Sequence, residues 1–430
     1  MAPSKDDKIL IIGAGCFGIS TAYHLLKRGF KNITVLERSD VLPAVDGSSN
    51  DFNRIVRSSY SDKFYAQLAL DAIKTWKTDL YKDAYHECGV LVLGSDGHSE
   101  YKDAALKHDK EMGLDLVDLE KPEALRTAIP EGIEAGSFEG YTGYLNRNAG
   151  WAMASQGLEL LTNEVKALGA TILTGKTVSQ LLREDGQTKG VACQDGSKYE
   201  AALVVLATGA WTGSSFDADL DCNALCTATG QSVAMVQLTE EEAVLYRKAP
   251  VVLEFSSGFY VFPPNAKNVV KMAIHNVGVT NKKDGKTSTP RTVVTNPVDG
   301  LAIPKKSVLA LREGLRKVYP ELAKRPFVAT RLCWYNDTPD GNWLIGSKPG
   351  DPGLFFATGG SGHAYKFLPV IGRLVADAIE GKLPDELVKK FAVDRVWGPP
   401  DLSREGYAQG PLEINLEELA KNDNDLTPVS

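Results

Sequence analysis

The sequence has few cysteines and no long apolar run, and each shortage excludes a class of protein. Six cysteines are scattered over 430 residues, so we expect free thiols in a reducing compartment rather than a disulfide scaffold. Cys222 and Cys226 lack a nearby histidine or further cysteine that could complete a zinc site, and we predict no bound metal. No run of about eighteen apolar residues occurs, so we predict no membrane-spanning helix.

The net charge and the C-terminal residues indicate which partners and which cellular location to expect. A net charge of −7 is mild and argues against a nucleic-acid-binding surface. A chain of 430 residues suits two or three domains. The final residues, 427–430, read TPVS rather than an SKL-type peroxisomal signal. We therefore expect a cytoplasmic protein, with the peroxisome as the alternative.

The first forty residues have the pattern of a dinucleotide-binding β-α-β unit. An apolar run at 8–12 leads into GAGCFG at 13–18, a helical pattern follows, and a second strand pattern at 32–36 ends in an acid. The glycines allow a tight turn, a close approach of pyrophosphate and close helix–strand packing, while the acid accepts hydrogen bonds from a ribose. The predicted cofactor residues here are Gly13, Ala14, Gly15, Cys16, Phe17, Gly18, Glu37 and Arg38.

Three later segments of the chain are predicted to belong to the same domain. A helical stretch at 152–168, an apolar strand at 203–209 and another at 354–362 are interleaved with stretches of alternating polarity, such as the predicted strands at 251–255 and 258–262. This interleaving favours FAD over a nicotinamide cofactor. We predict an FAD-binding domain from 1–80, 146–215 and 327–395, a substrate domain from 81–145 and 216–326, and a C-terminal tail at 396–430.

Four further motifs resemble those of the monomeric sarcosine oxidase family of FAD-dependent amine oxidases, and in particular those of its fungal branch. This family includes sarcosine, pipecolate, saccharopine and fructosyl-amino-acid oxidases. The motifs are GSSNDFNRIVRSSY at 47–60, YVFP with KMAIH at 260–263 and 271–275, RLCWYNDTPD at 331–340, and GGSGHAYKFLP at 359–369. The resemblance implies an α/β fold with a Rossmann-like FAD domain of the D-amino-acid-oxidase type and an interleaved antiparallel-sheet substrate domain.

The same resemblance extends the list of residues expected to hold FAD. Cys333, in its CxxxxTPD setting, is implied to bond covalently to the 8α carbon of the flavin; the alternative is a buried structural thiol. A helix N-terminus after the glycines at 359–362 is expected to stabilise negative charge on the reduced ring. The further cofactor residues are Ser48, Ser49, Asn53, Arg54, Val178, Ala207, Gly209, Trp211, Gly360, Gly362, His363 and Lys366.

Arg57 and Lys366 are the predicted substrate-binding pair. The resemblance implies that together they bind the carboxylate of an amino acid, which suits the planar fork of arginine and the point charge of lysine. The alternative for each is a solvated surface charge. Lys366 lies between two aromatic residues in the sequence, Tyr365 and Phe367, which favours the binding role.

Lys271 is the predicted oxygen-activating residue. On a strand it would share one face with Val269 and Ala273, and the resemblance places it over the flavin, where a cation lowers the cost of forming superoxide. The alternative is a lysine that protects an edge strand. Tyr260 and His275 are implied to line the substrate pocket.

Two departures separate this chain from the fructosyl-amino-acid branch. Arg54, expected near the flavin, stands where that branch has a lysine, and His275 stands where it has an acid. The C-terminal arginine of that branch is also missing from FAVDRVWG at 391–398. We therefore predict an oxidase of a secondary-amine α-amino acid, such as sarcosine, pipecolate or saccharopine. Molecular oxygen is the expected acceptor, hydrogen peroxide is a product, and the protein is expected to be a monomer.

Three alternatives remain open at this stage. They are a fructosyl-amino-acid oxidase, a flavin dehydrogenase with an acceptor other than oxygen, and a flavin-binding protein without catalysis.

Overall fold

Two large β-sheets organise the chain in a computed structural model that describes residues 2–95, 99–282, 285–400, 404 and 410–428. In chain order the strands are β1 Lys8–Ile12, β2 Asn32–Leu36, β3 Arg54–Val56, β4 Tyr85–His86, β5 Val90–Ser95, β6 Leu116–Leu119, β7 Tyr141–Asn146, β8 Gly150–Ala152, β9 Thr171–Leu173, β10 Val178–Glu184, β11 Gln187–Cys193, β12 Lys198–Glu200, β13 Leu203–Leu206, β14 Thr227–Gln237, β15 Val251–Glu254, β16 Phe259–Val261, β17 Val269–Ile274, β18 Val279–Thr280, β19 Ala329–Asp337, β20 Leu344–Lys348, β21 Asp351–Thr358 and β22 Leu412–Glu413.

The helices lie between these strands. They are α1 Cys16–Lys27, α2 Lys63–Trp76, α3 Glu100–Glu111, α4 Pro122–Arg126, α5 Ala154–Ala167, α6 Thr212–Leu220, α7 Glu240–Tyr246, α8 Lys305–Val318, α9 Pro320–Ala323, α10 Ile371–Ile379, α11 Asp385–Phe391 and α12 Asp423–Leu426, with 3-10 turns at Gly209–Trp211, Cys222–Ala224, Tyr365–Phe367 and Leu416–Glu418. Within the described residues, no helix is both long enough and apolar enough to cross a membrane.

The six-stranded sheet joins strands from distant segments of the chain. Its order is β20-β21-β13-β1-β2-β9, and all pairs are parallel except β20 with β21. Strands β1 and β13 are runs of isoleucine, leucine and valine with almost every side chain buried, as expected for a parallel sheet covered on both faces. Helix α1 packs against α5 and α10.

The glycine loop joins β1 to α1 as predicted. Gly13 has a φ of +106°, a conformation that few other residues adopt. A Cβ atom on Gly18 would collide with the carbonyl oxygen of Gly13. The close packing predicted for Gly18 is therefore present.

The ten-stranded sheet is mainly antiparallel, with parallel pairs at β5–β15 and β18–β22. Its path runs β22-β18-β14-β17-β16-β15-β5-β7-β6, and β19 pairs with β14. Strand β15 is buried at all four positions, so the polar–apolar alternation predicted there is wrong. The reason is that Val251 and Leu253 face one hydrophobic core while Val252 faces the other.

Two segments near the predicted domain limits join this larger sheet. Strand β19 lies within the 327–395 piece assigned to the FAD-binding domain, yet it pairs with β14 along its whole length. Strand β22, in the predicted tail, pairs with β18. The 327–395 piece therefore contributes to both sheets, and the division into domains stays a prediction.

Candidate active site

A long cavity opens at the carboxyl ends of parallel strands β1, β2 and β13, where open α/β sheets bind their ligands. Its empty volume is about 1300 Å³, including the part open to solvent. The predicted cofactor residues on its wall are Gly13, Ala14, Gly15, Cys16, Phe17, Glu37, Arg38, Ser48, Ser49, Arg54, Val178, Ala207, Gly209, Trp211, Gly360 and Gly362. The predicted cofactor residues that do not line it are Gly18, Asn53, Cys333, His363 and Lys366.

Glu37 and Arg38 form one end of this cavity. The carboxylate of Glu37 accepts backbone N–H bonds from Ala14 at 2.9 Å and from Ser39 at 3.0 Å. The guanidinium of Arg38 lies 3.9 Å from the ring centre of Trp211 and pairs with Asp46 at 2.6 Å. Each Glu37 oxygen retains a second lone pair, so the carboxylate can still accept a bond from a ribose hydroxyl.

The start of α1 and a buried amide suit a bound dinucleotide. Helix α1 has no side-chain cap and no acid in its first turn, which leaves its positive end toward the cavity; the N–H of Cys16 donates to Ser49 Oγ at 3.0 Å. Asn53 is fully buried, and both polar atoms of its side chain lack a hydrogen-bond partner within the described chain. Buried polar groups are rarely left in this state, and Asn53 directly precedes Arg54, which lines the cavity. These residues fit FAD.

Four residues that meet beside the cavity form what we call the Asp51 cluster: Asp51, Arg54, Lys271 and Cys333. Lys271 Nζ donates to Asp51 Oδ2 at 2.9 Å and to the carbonyl of Asn53 at 2.8 Å. Arg54 forms an ion pair with the same Asp51 oxygen, and its second nitrogen lies 3.3 Å from Cys333 Sγ. The structure thus brings together three predicted site residues around an acid that was not predicted.

Lys271 is an interior residue. Strand β17 lies between β14 and β16, which excludes the alternative of an edge-strand lysine. Its side chain is 1% exposed and shares a face with Val269 and Ala273, beside Cys333. Burial lowers the pKa of Lys271 to about 8, although the carboxylate of Asp51 opposes the change.

Arg57 and Lys366 both contact Tyr60. Lys366 Nζ donates to the hydroxyl of Tyr60 at 2.6 Å and to the carbonyl of His363 at 2.8 Å. The guanidinium of Arg57 lies 4.6 Å from the ring centre of Tyr60 and 5.0 Å from that of Phe255. Arg57 and Lys366 are 7% and 6% exposed, so neither is a solvated surface charge. We call Arg57, Tyr60, His363 and Lys366 the Tyr60 cluster.

Tyr260 and His275 lie around Tyr335, whose side chain lines the cavity. His275 Nδ1 is 3.4 Å from the Tyr335 hydroxyl, and a Cβ on Gly362 would collide with the Tyr335 ring. Burial raises the pKa of Tyr260 to about 12, so its phenol keeps its proton and can donate it in a hydrogen bond.

The helix N-terminus predicted after the glycines at 359–362 is wrong. Strand β21 ends at Thr358, a 3-10 turn follows at Tyr365–Phe367, and α10 begins only at Ile371. Pro369 explains the delay because proline has no backbone N–H to donate and its ring opposes a helical turn before it. Any stabilisation of charge at this end of the cavity must come from individual side chains and backbone N–H groups.

Comparison with known proteins decides the family. Residues 8–378 match the family described as FAD dependent oxidoreductase. The chain belongs to this family. L-saccharopine oxidase of Schizosaccharomyces pombe is 32% identical over 406 residues, covering 88% of this chain and 91% of that protein. Monomeric sarcosine oxidase of an Arthrobacter strain is 26% identical over 403 residues, covering 92% and 98%.

The structural comparison agrees with that assignment. Fructosamine oxidase (Amadoriase II) from Aspergillus fumigatus superposes on this oxidoreductase with a TM-score of 0.81 and 31% identity, covering 94% of this chain and 92% of that chain. The predicted FAD-binding α/β fold and the predicted relationship to the sarcosine oxidase group are therefore confirmed.

Sequence reasoning missed Asp51 and Tyr60 in this oxidoreductase. A signal existed for each of them. A lysine buried in an apolar strand requires a counter-charge, and the quoted 47–60 motif contains one acid, Asp51. Tyr60 ends the same motif, three residues after Arg57.

Proposed function

We propose that this FAD-dependent oxidoreductase oxidises a secondary amine of an α-amino acid and uses molecular oxygen as its acceptor. The amine loses two electrons and two protons and becomes an imine, which water converts to a carbonyl compound and a primary amine. Oxygen gains the two electrons and two protons and becomes hydrogen peroxide. FAD, when bound, supplies the redox centre between the two half-reactions.

The observation that carries this proposal is the position of two cations, the buried Lys271 and the half-buried Arg54, beside Cys333 and the dinucleotide cavity. The first electron added to oxygen creates a negative charge. A cation fixed in a buried site stabilises that charge without reorganisation. Lys271 therefore serves the oxygen half-reaction in our proposal.

The Tyr60 cluster serves the substrate. Arg57 and Lys366 together hold the carboxylate, and the bond from Lys366 to Tyr60 fixes the ammonium in place. Tyr260 donates a hydrogen bond from its phenol to the substrate, and His275 lines the far side of the pocket. No residue in these clusters is assigned as a strong base, so the amine reacts in its neutral form.

We also propose that Cys333 holds the flavin covalently through its sulfur. The position of Cys333 supports this role, because its sulfur lies 3.3 Å from Arg54, which lines the dinucleotide cavity. The monomeric state is a proposal as well, supported by relatives named monomeric sarcosine oxidase. The expected cytoplasmic location stays a prediction, and a human relative is named peroxisomal sarcosine oxidase.

A second candidate is the oxidation of fructosyl amino acids, which are also secondary amines. The similarity to the solved fructosamine oxidase favours it. The histidine at position 275 argues against it, because a carboxylate is the better partner for several sugar hydroxyls.

An anaerobic substrate screen tests the proposal. The protein is mixed without oxygen with sarcosine, pipecolate, L-saccharopine or fructosyl-valine, and the loss of flavin absorbance is followed. We expect bleaching by at least one of the first three and none by the matching primary amines. Bleaching by fructosyl-valine alone would select the second candidate, and no bleaching by any of the four would contradict both.

A further inference from the structure

Asp51 connects two cations that come from different parts of the fold. Lys271 lies on β17 of the ten-stranded sheet, whereas Arg54 begins β3 in a small separate sheet. We propose that Asp51 is a positioning residue that keeps Lys271 charged and fixed, and so controls the reaction with oxygen through Lys271. This inference rests on the proposed role of Lys271.

Several hydrogen bonds hold Asp51 in place. Its Oδ1 accepts the N–H of Phe52 at 2.6 Å, and its Oδ2 accepts from both Lys271 and Arg54. The backbone carbonyl of Asp51 accepts the N–H of Ser155 at 3.0 Å, near the start of α5. Because the acid cannot move without breaking these bonds, it fixes the direction of the Lys271 ammonium.

The surroundings of Lys271 explain why it needs this acid. Arg54 and Arg331 add positive charge to the same buried region, and Arg331 is bonded to the carbonyls of Asn50 and Gly47. Among the described residues, Cys333 on β19 and the Phe262 ring, whose centre is 4.9 Å from Nζ, also lie beside Lys271, and Tyr260 on β16 packs against the same cluster as Cys333. Asp51 is the only carboxylate bonded to Lys271 among the described residues.

Loss of the Asp51 carboxylate should lower the pKa of Lys271. Burial already lowers the pKa of Lys271, and Asp51 opposes that effect. Without Asp51 the pKa falls further, so the ammonium loses its proton at a lower pH. A neutral amine cannot stabilise a negative charge on oxygen, and the oxygen reaction therefore declines at a lower pH than in the wild type.

The titration of Lys271 tests this directly. We would label lysine with ¹³C at Cε in the flavin-containing protein, assign the Lys271 signal by its loss in Lys271→Met, and follow its shift with pH. In Asp51→Asn we expect the midpoint to fall by at least one pH unit. A fall from about 8 to about 7 would reduce the charged fraction at pH 8 about fivefold.

Asp351→Asn is the matched control. Asp351 is also buried, but it bonds to Thr188 on a distant strand. Its removal should leave the Lys271 midpoint unchanged. If Asp51→Asn does not fold, Asp51→Ser, which leaves room for water, is measured in the same way. An unchanged midpoint in the folded Asp51 variant would overturn the inference.

Oxygen kinetics separate this inference from the function it rests on. In the Asp51 variant, the rate of reoxidation should fall at a lower pH than in the wild type. The difference in pH should equal the shift in the Lys271 midpoint. If Lys271→Met reoxidises as fast as wild type, the oxygen role of Lys271 is wrong. If Lys271→Met is slow but the Asp51 variant keeps the wild-type pH profile, only the role of Asp51 is wrong.

Discussion

The ammonium of Lys366 donates a 2.6 Å hydrogen bond to the hydroxyl of Tyr60, whose ring lies 4.6 Å from the guanidinium carbon of Arg57. One tyrosine therefore links the two cations that the sequence predicts to bind substrate. Its hydroxyl holds one of them, and its ring packs against the other. This arrangement allows the contributions of charge, hydroxyl and ring to be separated by mutation.

We expect Arg57→Ala and Lys366→Ala each to weaken the binding of a simple carboxylate inhibitor. Loss of a hydrogen bond to a charged group costs about 1.5–3 kcal/mol, which corresponds to roughly a tenfold to hundredfold rise in Kd. Titration of the flavin absorbance with the inhibitor measures this. Arg316→Ala, which removes an exposed arginine paired with Glu313, is the control. Unchanged affinity in both cluster variants would exclude the carboxylate clamp.

Tyr60→Phe should have a smaller effect because it removes the hydroxyl and keeps the ring. Lys366 then loses one acceptor but keeps the carbonyl of His363, so we expect only part of the about 1.5–3 kcal/mol that a hydrogen bond to a charged group contributes. We expect a rise in inhibitor Kd of about twofold to tenfold. Tyr65→Phe deletes the same atom from a neighbouring ring whose hydroxyl bonds to Asn342, and it should leave the Kd unchanged. A Tyr60→Phe protein with wild-type affinity would show that the hydroxyl does not position Lys366.

Cys333→Ser should leave the flavin extractable by acid. Serine fills the same buried position but cannot form the thioether, whereas the wild-type polypeptide should stay yellow after denaturation. Cys88→Ser alters a half-buried thiol outside the Asp51 cluster and should retain the flavin. Flavin that washes out of the denatured wild type would contradict the covalent link.

The parts of the site that could be predicted from sequence are those formed by short segments. The glycine loop needs only residues 13–18 and the neighbouring strands, so its geometry follows from local pattern. The partners of Lys271 and Lys366 could not be found in this way. Asp51 is 220 residues from Lys271, and Tyr60 is 306 residues from Lys366.

The features of the fold that differ from the predictions or were not anticipated have a related physical origin. The pairing of β19 with β14, which the predicted domain division does not anticipate, joins two strands separated by about ninety residues that form other elements. Strand β15 is buried by two cores at once, which its own sequence does not reveal. The late start of α10 is the exception, since Pro369, which lacks a backbone N–H, is a local signal against an earlier helix start.

Lys271→Met should separate the two half-reactions. Anaerobic reduction by substrate depends on binding geometry and amine protonation, so its rate should change little. Reoxidation needs the cation, and loss of one preorganised electrostatic group slows a step by about 10²–10³-fold. Lys267→Met removes an exposed lysine four residues earlier and should leave both rates unchanged. If the reduced Lys271→Met protein reacts with oxygen at the wild-type rate, Arg54 is the next residue to test.

The most direct test of the proposed oxidase is the reaction of substrate-reduced protein with oxygen. The protein is bleached anaerobically with a secondary-amine amino acid, freed of excess substrate, and mixed in a stopped-flow instrument with oxygenated buffer. We predict rapid return of the flavin absorbance and one molecule of hydrogen peroxide for each flavin reoxidised. Slow reoxidation without peroxide, together with fast reoxidation by a quinone, would contradict the proposal and identify a dehydrogenase.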